Sequence, residues 1–169
     1  MGSGLAATAF FAHLRTSHAG ATALRPTHGG GFARVKEGRL PEAPLIAIVE
    51  DDQFFRASIR QLMRSLGYTV EAFPSAADFL ASRRLEETSC LIADIHMPAM
   101  TGVELYARLV EAGQTIPTIL VTAYPNEAAR ARALKDGVVC YLPKPFDDHD
   151  LMDCVRKAVE GGKPPAENS

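Results

Sequence analysis

The chain has 169 residues, is 47% hydrophobic and carries a formal net charge of −2 at pH 7. Such a chain can bury one good core, and its near-neutral charge gives no electrostatic reason to expect direct nucleic acid binding. No stretch approaches the roughly 18 apolar residues that a membrane span needs.

Residues 1–43 differ in composition from the rest of the chain. They hold Arg15, Arg25, Arg34 and Lys36, no acid before Glu37, and a Gly29-Gly30-Gly31 run. This composition predicts a flexible tail. A secretory signal would place positive charge ahead of the apolar patch Leu5 to Leu14, whereas Arg15 follows it; an Arg-rich, acid-poor transit peptide is the closer targeting pattern. Residues 161–169, rich in Gly and Pro, read as a linker or frayed terminus.

Residues 44–160 alternate regularly. Leu45-Ile46-Ala47-Ile48-Val49 is a continuous apolar run, expected of a strand covered on both faces, and it ends in Glu50-Asp51-Asp52. Phe55, Ile59, Leu62 and Leu66 then recur at helical spacing up to Gly67, a C-terminal stop, and Asp52 is assigned to capping that helix. Tyr68 to Phe73 is a second strand, more alternating and so a candidate edge. Ser75 with Asp78 predicts a capped helix through Arg84, and Cys90-Leu91-Ile92-Ala93 is a third strand delivering Asp94.

Thr101 with Glu104 forms a second capping-box pattern, and Gly113 closes that helix. Thr118 to Val121 is a fourth strand ending in Thr122. A helix from about Asn126 stops at Gly137, and Val138 to Leu142 is the fifth strand. Asp147 opens the last helix, with Leu151, Val155, Ala158 and Val159 facing the core. Five strands alternating with five helices imply a parallel sheet with helices on both faces. Cys90, Cys140 and Cys154 lack CxxC spacing and are read as buried thiols of a reducing compartment.

Ligands of open α/β sheets bind outside the carboxyl ends of the strands. That rule gathers Glu50, Asp51, Asp94, Thr122, Ala123 and Lys144 into one crevice, with Tyr141 and Pro145 beside it. Crowded carboxylates disfavour mutual ionisation unless a cation intervenes. Mg²⁺, which prefers oxygen ligands and retains waters, suits such a set. The group describes a magnesium-assisted acyl-phosphate site.

Val49-Glu50-Asp51-Asp52, Leu91 to Pro98 around Asp94, Val121-Thr122-Ala123 and Tyr141 to Phe146, in this order, resemble the CheY-like receiver domain of two-component response regulators, in a style close to the FixJ and NtrC types. The resemblance implies a flavodoxin-like sheet of order 2-1-3-4-5 and Asp94 as phosphoacceptor. It also implies Mg²⁺ held by Asp51 and Asp94 directly, by Glu50 through water and by the backbone carbonyl of His96. Thr122, Ala123 and Lys144 would bind the phosphoryl group, the Lys144-Pro145 bond would be cis, and Thr122 with Tyr141 would form the switch. The implied partners are a sensor histidine kinase or phosphotransfer protein, with a homodimer through the fourth helix, fifth strand and fifth helix, in the cytoplasm. The chain is then a signalling phosphoacceptor and not an enzyme.

Three departures from the family pattern stand out. Glu50 replaces the commoner aspartate, Ala99 replaces a frequent glycine and would be strained at positive φ, and Tyr124 sits where it can shield an acyl-phosphate. His96 has no second histidine nearby and is expected to be solvent-exposed. The alternatives are a receiver-like scaffold that is never phosphorylated and an Asp-nucleophile phosphatase. The phosphatase would want an acid at the position of His96.

Overall fold

The structure, a computed structural model, describes residues 42–161; the predicted tail before residue 42 and the linker after residue 161 lie outside the described residues. The elements are β1 (Leu45–Val49), α1 (Gln53–Ser65), β2 (Thr69–Phe73), α2 (Ala76–Leu80), β3 (Thr88–Asp94), α3 (Gly102–Glu111), β4 (Thr118–Thr122), α4 (Glu127–Lys135), β5 (Cys140–Pro143) and α5 (Asp148–Gly161). A 3-10 turn, Leu85–Glu87, precedes β3. The strands are all parallel in the order β2-β1-β3-β4-β5, the doubly wound arrangement that the alternation and the resemblance imply.

Period-two alternation divides the core between the two faces of the sheet. Ile46, Ile48, Cys90, Ile92, Ile119 and Val121 pack with Ile59 and Met63 of α1 and with Leu151, Val155 and Ala158 of α5. Ala47, Val49, Leu91, Ala93 and Leu120 pack on the opposite side with Phe79 of α2, Leu105 and Leu109 of α3 and Ala133 of α4. β1, β3 and β4 are central, and buried runs are what two covered faces require. β2 is an edge, as its alternation predicts.

Helix starts follow the sequence signals. Asp52 Oδ1 accepts from the Phe55 amide at 2.7 Å, and Thr101 with Glu104 forms a complete capping box. Ser75 Oγ accepts from the Asp78 amide at 3.1 Å. The helix it opens is shorter than predicted, ending at Leu80 rather than Arg84. Ser82 is the cause: its Oγ accepts from the Arg84 amide at 3.1 Å, and such local bonds compete with helix continuation. β5 begins at Cys140, two residues later than expected, because its pairing with β4 starts at Ile119↔Cys140.

The cysteine expectation is corrected for two of the three residues. Cys140 of β5 and Cys154 of α5 are joined as a disulfide with Cα atoms 5.9 Å apart. They stand 14 positions apart in sequence, so no local motif announces the pair; α5 returns across the sheet and lays Cys154 against β5. Cys90 remains a free thiol, and burial pushes its pKa up to about 12.

Two backbone positions bear on the site. Ala99 has φ +67, the left-handed conformation that the alanine-for-glycine departure anticipates as strained. A non-glycine residue there costs about 1–2 kcal/mol, offset in part by the larger unfolded-state entropy of glycine. Ala99→Gly is therefore expected to stabilise the protein by about 0.5–1 kcal/mol, seen as a higher urea midpoint at unchanged slope; an unchanged or lower midpoint contradicts it.

Gly102, the first residue of α3, lies against the end of β3. A Cβ there would stand 2.4 Å from the Asp94 carbonyl oxygen and 3.3 Å from the Ile95 Cα. Both obstacles are backbone, so neither can swing aside. Gly102→Ala is expected to cost about 1–3 kcal/mol, read by denaturation, and to displace the loop that presents Asp94. A variant as stable as the parent removes this reading.

Candidate functional site

Register assembles the site. Val49 pairs with Ala93, so the next residues, Glu50 and Asp94, leave neighbouring strands side by side. Asp94 pairs with Val121, placing Thr122 one step beyond it, and Thr122 pairs with Pro143, bringing Lys144 to the same edge. The Ile95 amide donates to the Val121 carbonyl at 2.9 Å and the Lys144 amide to the Thr122 carbonyl at 2.7 Å. These bonds extend the ladder past the strand ends and fix where the side chains emerge.

Two carboxylates are nearly out of solvent: Glu50 is 2% and Asp94 5% exposed. Asp51 is exposed. Ligand oxygens of Glu50, Asp51 and Asp94 all lie within 4.8 Å of one another. Lys144 Nζ is 2.8 Å from Glu50 Oε2 and 3.0 Å from Asp94 Oδ1, so one ammonium bridges acids from two strands. Glu50 Oε1 accepts from the Asp52 amide at 3.1 Å.

Burial raises the Glu50 pKa, the Lys144 bond works against that shift, and the neighbouring Asp94 charge adds to it. For Lys144, burial acts to lower the pKa, but hydrogen bonds to Glu50 and Asp94 outweigh it and the net direction is upward. The crevice thus holds its lysine charged.

The remaining predicted residues stand around this pair. Thr122 is fully buried and its Oγ1 accepts from the Tyr124 amide at 3.0 Å, which leaves the single hydroxyl proton free to donate. Ala123 is exposed at the crevice rim. Tyr141 is 7% exposed, with its hydroxyl accepting from the Asn126 amide at 3.4 Å; it is an inward-packed residue and not a surface aromatic. The Lys144-Pro145 bond is cis. His96 is exposed, as expected, and its ring meets Tyr124 edge-on with centroids 5.2 Å apart.

Three neighbours escape sequence reasoning. Phe55 reads as a core position of α1, yet Lys144 Nζ lies 4.0 Å from its ring centroid. Arg56 Nη1 donates to the Glu50 carbonyl and, at 3.2 Å, to the Asp51 carbonyl, bracing the acidic turn from below. Gly102 supports Asp94 from α3. A glycine directly after the capping Thr101 was the one local signal available; nothing in the spacing flags the other two.

The three acids at the carboxyl edge of this doubly wound parallel sheet, Glu50, Asp51 and Asp94, could together hold a metal ion. The family model of the response regulator receiver domain matches residues 46–156, and the chain belongs to that family of two-component signalling domains. Nodulation protein W of Bradyrhizobium diazoefficiens is 38% identical over 116 residues, covering 69% of this chain and 51% of that protein. The response regulator protein TodT of Pseudomonas putida is 34% identical over 118 residues, covering 70% of this chain and 52% of the relative. The chain therefore spans about half the length of the curated relatives it matches.

Solved structures agree. The response regulator StyR is similar with a TM-score of 0.66 and 36% identity, over 71% of this chain and 61% of that one. FixJ-N is similar with a TM-score of 0.63 and 30% identity, over 70% of this chain and 95% of that one. Among the described residues no helix is long and apolar enough to cross a membrane.

Proposed function

We propose that Asp94 is a phosphoacceptor and that this receiver domain carries a Mg²⁺-dependent phosphorylation signal. One observation supports the reading above the others: Lys144 bridges Glu50 and Asp94 inside a crevice where Asp51 offers a third carboxylate. Three acids around one ammonium leave excess negative charge, and a hard oxygen-seeking ion fits that donor set. Glu50, Asp51 and Asp94 would hold Mg²⁺, with the His96 carbonyl as a further oxygen by family likeness. When bound, the ion neutralises charge on the incoming phosphoryl oxygens.

The chain's own residues do the rest. An Asp94 carboxylate oxygen forms a bond to phosphorus while the donor's bond to phosphorus breaks. The donor, a phosphohistidine of a sensor kinase or phosphotransfer protein, or a small acyl phosphate, leaves with the electron pair. Lys144 turns its ammonium to a phosphoryl oxygen, and Thr122 Oγ1 and the Ala123 amide donate to others. Thr122 Oγ1, which holds the Tyr124 amide, would draw on the loop that ends at Asn126 as it turns to the phosphoryl group, and the Asn126 amide already bonds Tyr141, so the change reaches the face of α4, β5 and α5. A charge event thereby biases a packed element. That face is the proposed site of partner binding or homodimerisation. In this reading the chain is a signalling phosphoacceptor and not an enzyme.

Intact-mass measurement after incubation with acetyl phosphate tests this. The expected result is a phosphate-sized, base-labile increment that requires Mg²⁺ and disappears with chelator. No increment under any loading condition would favour the unphosphorylated scaffold.

A further inference from the structure

We propose that Phe55 is a positioning residue: its ring face, locked by Phe146, forms the third wall of a seat that keeps the Lys144 ammonium in the crevice. The inference rests on the phosphoacceptor reading for its consequence, though not for its geometry. Lys144 Nζ meets Glu50 at 2.8 Å and Asp94 at 3.0 Å, and the Phe55 ring centroid at 4.0 Å. The negative face of an aromatic ring attracts an ammonium at such a distance, more so when water is excluded. Lys144 is only 19% exposed.

The ring is held in place from two directions. Phe146, two residues after Lys144, packs edge-on against it with centroids 5.8 Å apart at 73°, a favoured aromatic arrangement. The Phe55 amide donates to Asp52 Oδ1 at 2.7 Å, and the next residue, Arg56, ties the helix start to the Glu50 and Asp51 carbonyls. The same turn that presents the acids therefore presents the ring.

The reaction gives the ring its use. Phosphoryl transfer converts the Asp94 carboxylate into an acyl phosphate, a mixed anhydride without the carboxylate's charge, and obliges Lys144 to exchange that partner for a phosphoryl oxygen. The ring is the wall that does not change. It leaves the long lysine stem less free to swing into solvent during the exchange, so the ammonium stands ready where charge develops.

Phe55→Leu keeps an apolar side chain of similar reach and deletes the π face, and Phe55→Tyr restores it. Protein with ¹³C-labelled lysine reports the Lys144 ε-methylene directly, because a ring beneath it shifts that resonance upfield. The expected result is a shifted resonance in the parent and in Phe55→Tyr that returns toward the ordinary lysine position in Phe55→Leu. Acetyl-phosphate loading with Mg²⁺ should slow about two- to fivefold in Phe55→Leu and recover in Phe55→Tyr, at matched urea midpoints. A resonance unmoved by Phe55→Leu, or loading at the parent rate, overturns the proposal. A parent chain that takes no phosphoryl group overturns the phosphoacceptor reading instead, and the resonance alone then decides whether the ring seats the ammonium.

Discussion

Lys144→Ala is expected to destabilise the metal-free protein by about 2–4 kcal/mol at neutral pH, and Mg²⁺ to restore most of that loss. Removing one member of a buried ion pair strands the other, and here it strands two, since Glu50 and Asp94 are both nearly buried and share this one ammonium. The low end of the range allows for Lys144 being partly open to solvent. A divalent ion bound by the same carboxylates would replace the missing charge. Saturation at a hundred times the dissociation constant stabilises by about 2.7 kcal/mol. In the parent the ion meets acids that already have a cation, so the gain in the variant should be the larger. Denaturant titrations of both proteins, with Mg²⁺ and with chelator, measure all four quantities. Equal stability in chelator, or an equal Mg²⁺ gain in both, would sink the shared-cation account.

The pH profile of the same difference carries its own signature. Lys144 has its folded pKa raised above 10.5. Its contribution is fully present below the unfolded value and is lost as pH climbs through the folded one. At the acid end the sign reverses its origin. Glu50 is pushed above 4.5 by burial, and the Lys144 bond is the strongest factor restraining that rise. Without the lysine Glu50 protonates more readily, and a neutral acid no longer needs a partner. The gap between parent and variant should be widest from neutral pH to about 10.5 and narrow on both sides.

Much of this architecture can be read from local signals. Val49 followed by three acids, Asp94 after a buried run, and Thr122 after another are strand ends, and a parallel sheet places strand ends together without further information. Capping residues Asp52, Thr101 and Asn126 mark helix starts by short-range bonds that sequence states directly. What sequence could not state are contacts between elements. The Cys140–Cys154 pair depends on how α5 lies across β5. The Lys144–Glu50 bond spans 94 positions and joins the ends of β1 and β5, strands that are not neighbours in the sheet. Phe55 gave a correct helical period and concealed its second role, because periodicity reports which face is buried and not what it touches. The truncation of α2 at Leu80 is a local effect of Ser82, legible in principle, since serine competes with helix continuation.

Asp94→Asn is expected to abolish the phosphate-sized mass increment while leaving the fold intact. An amide has the shape of the carboxylate but no anionic oxygen to attack phosphorus, so the transfer loses its acceptor. Structure should survive for an electrostatic reason. Lys144 keeps its 2.8 Å bond to Glu50, and loss of the Asp94 charge removes one of the causes that raise the Glu50 pKa. The stability change is expected to fall within about 1 kcal/mol, far too small for unfolding to account for lost labelling. Glu50 is the instructive control: it is buried, carries a carboxylate and touches the same ammonium, yet one oxygen is engaged by the Asp52 amide and the other by Lys144. A base-labile increment that persists in Asp94→Asn would therefore move the acceptor to Asp51 or Glu50, and peptide mapping of that increment would identify which. Loss of the increment with an unchanged urea midpoint leaves Asp94 as the residue that carries the phosphoryl group.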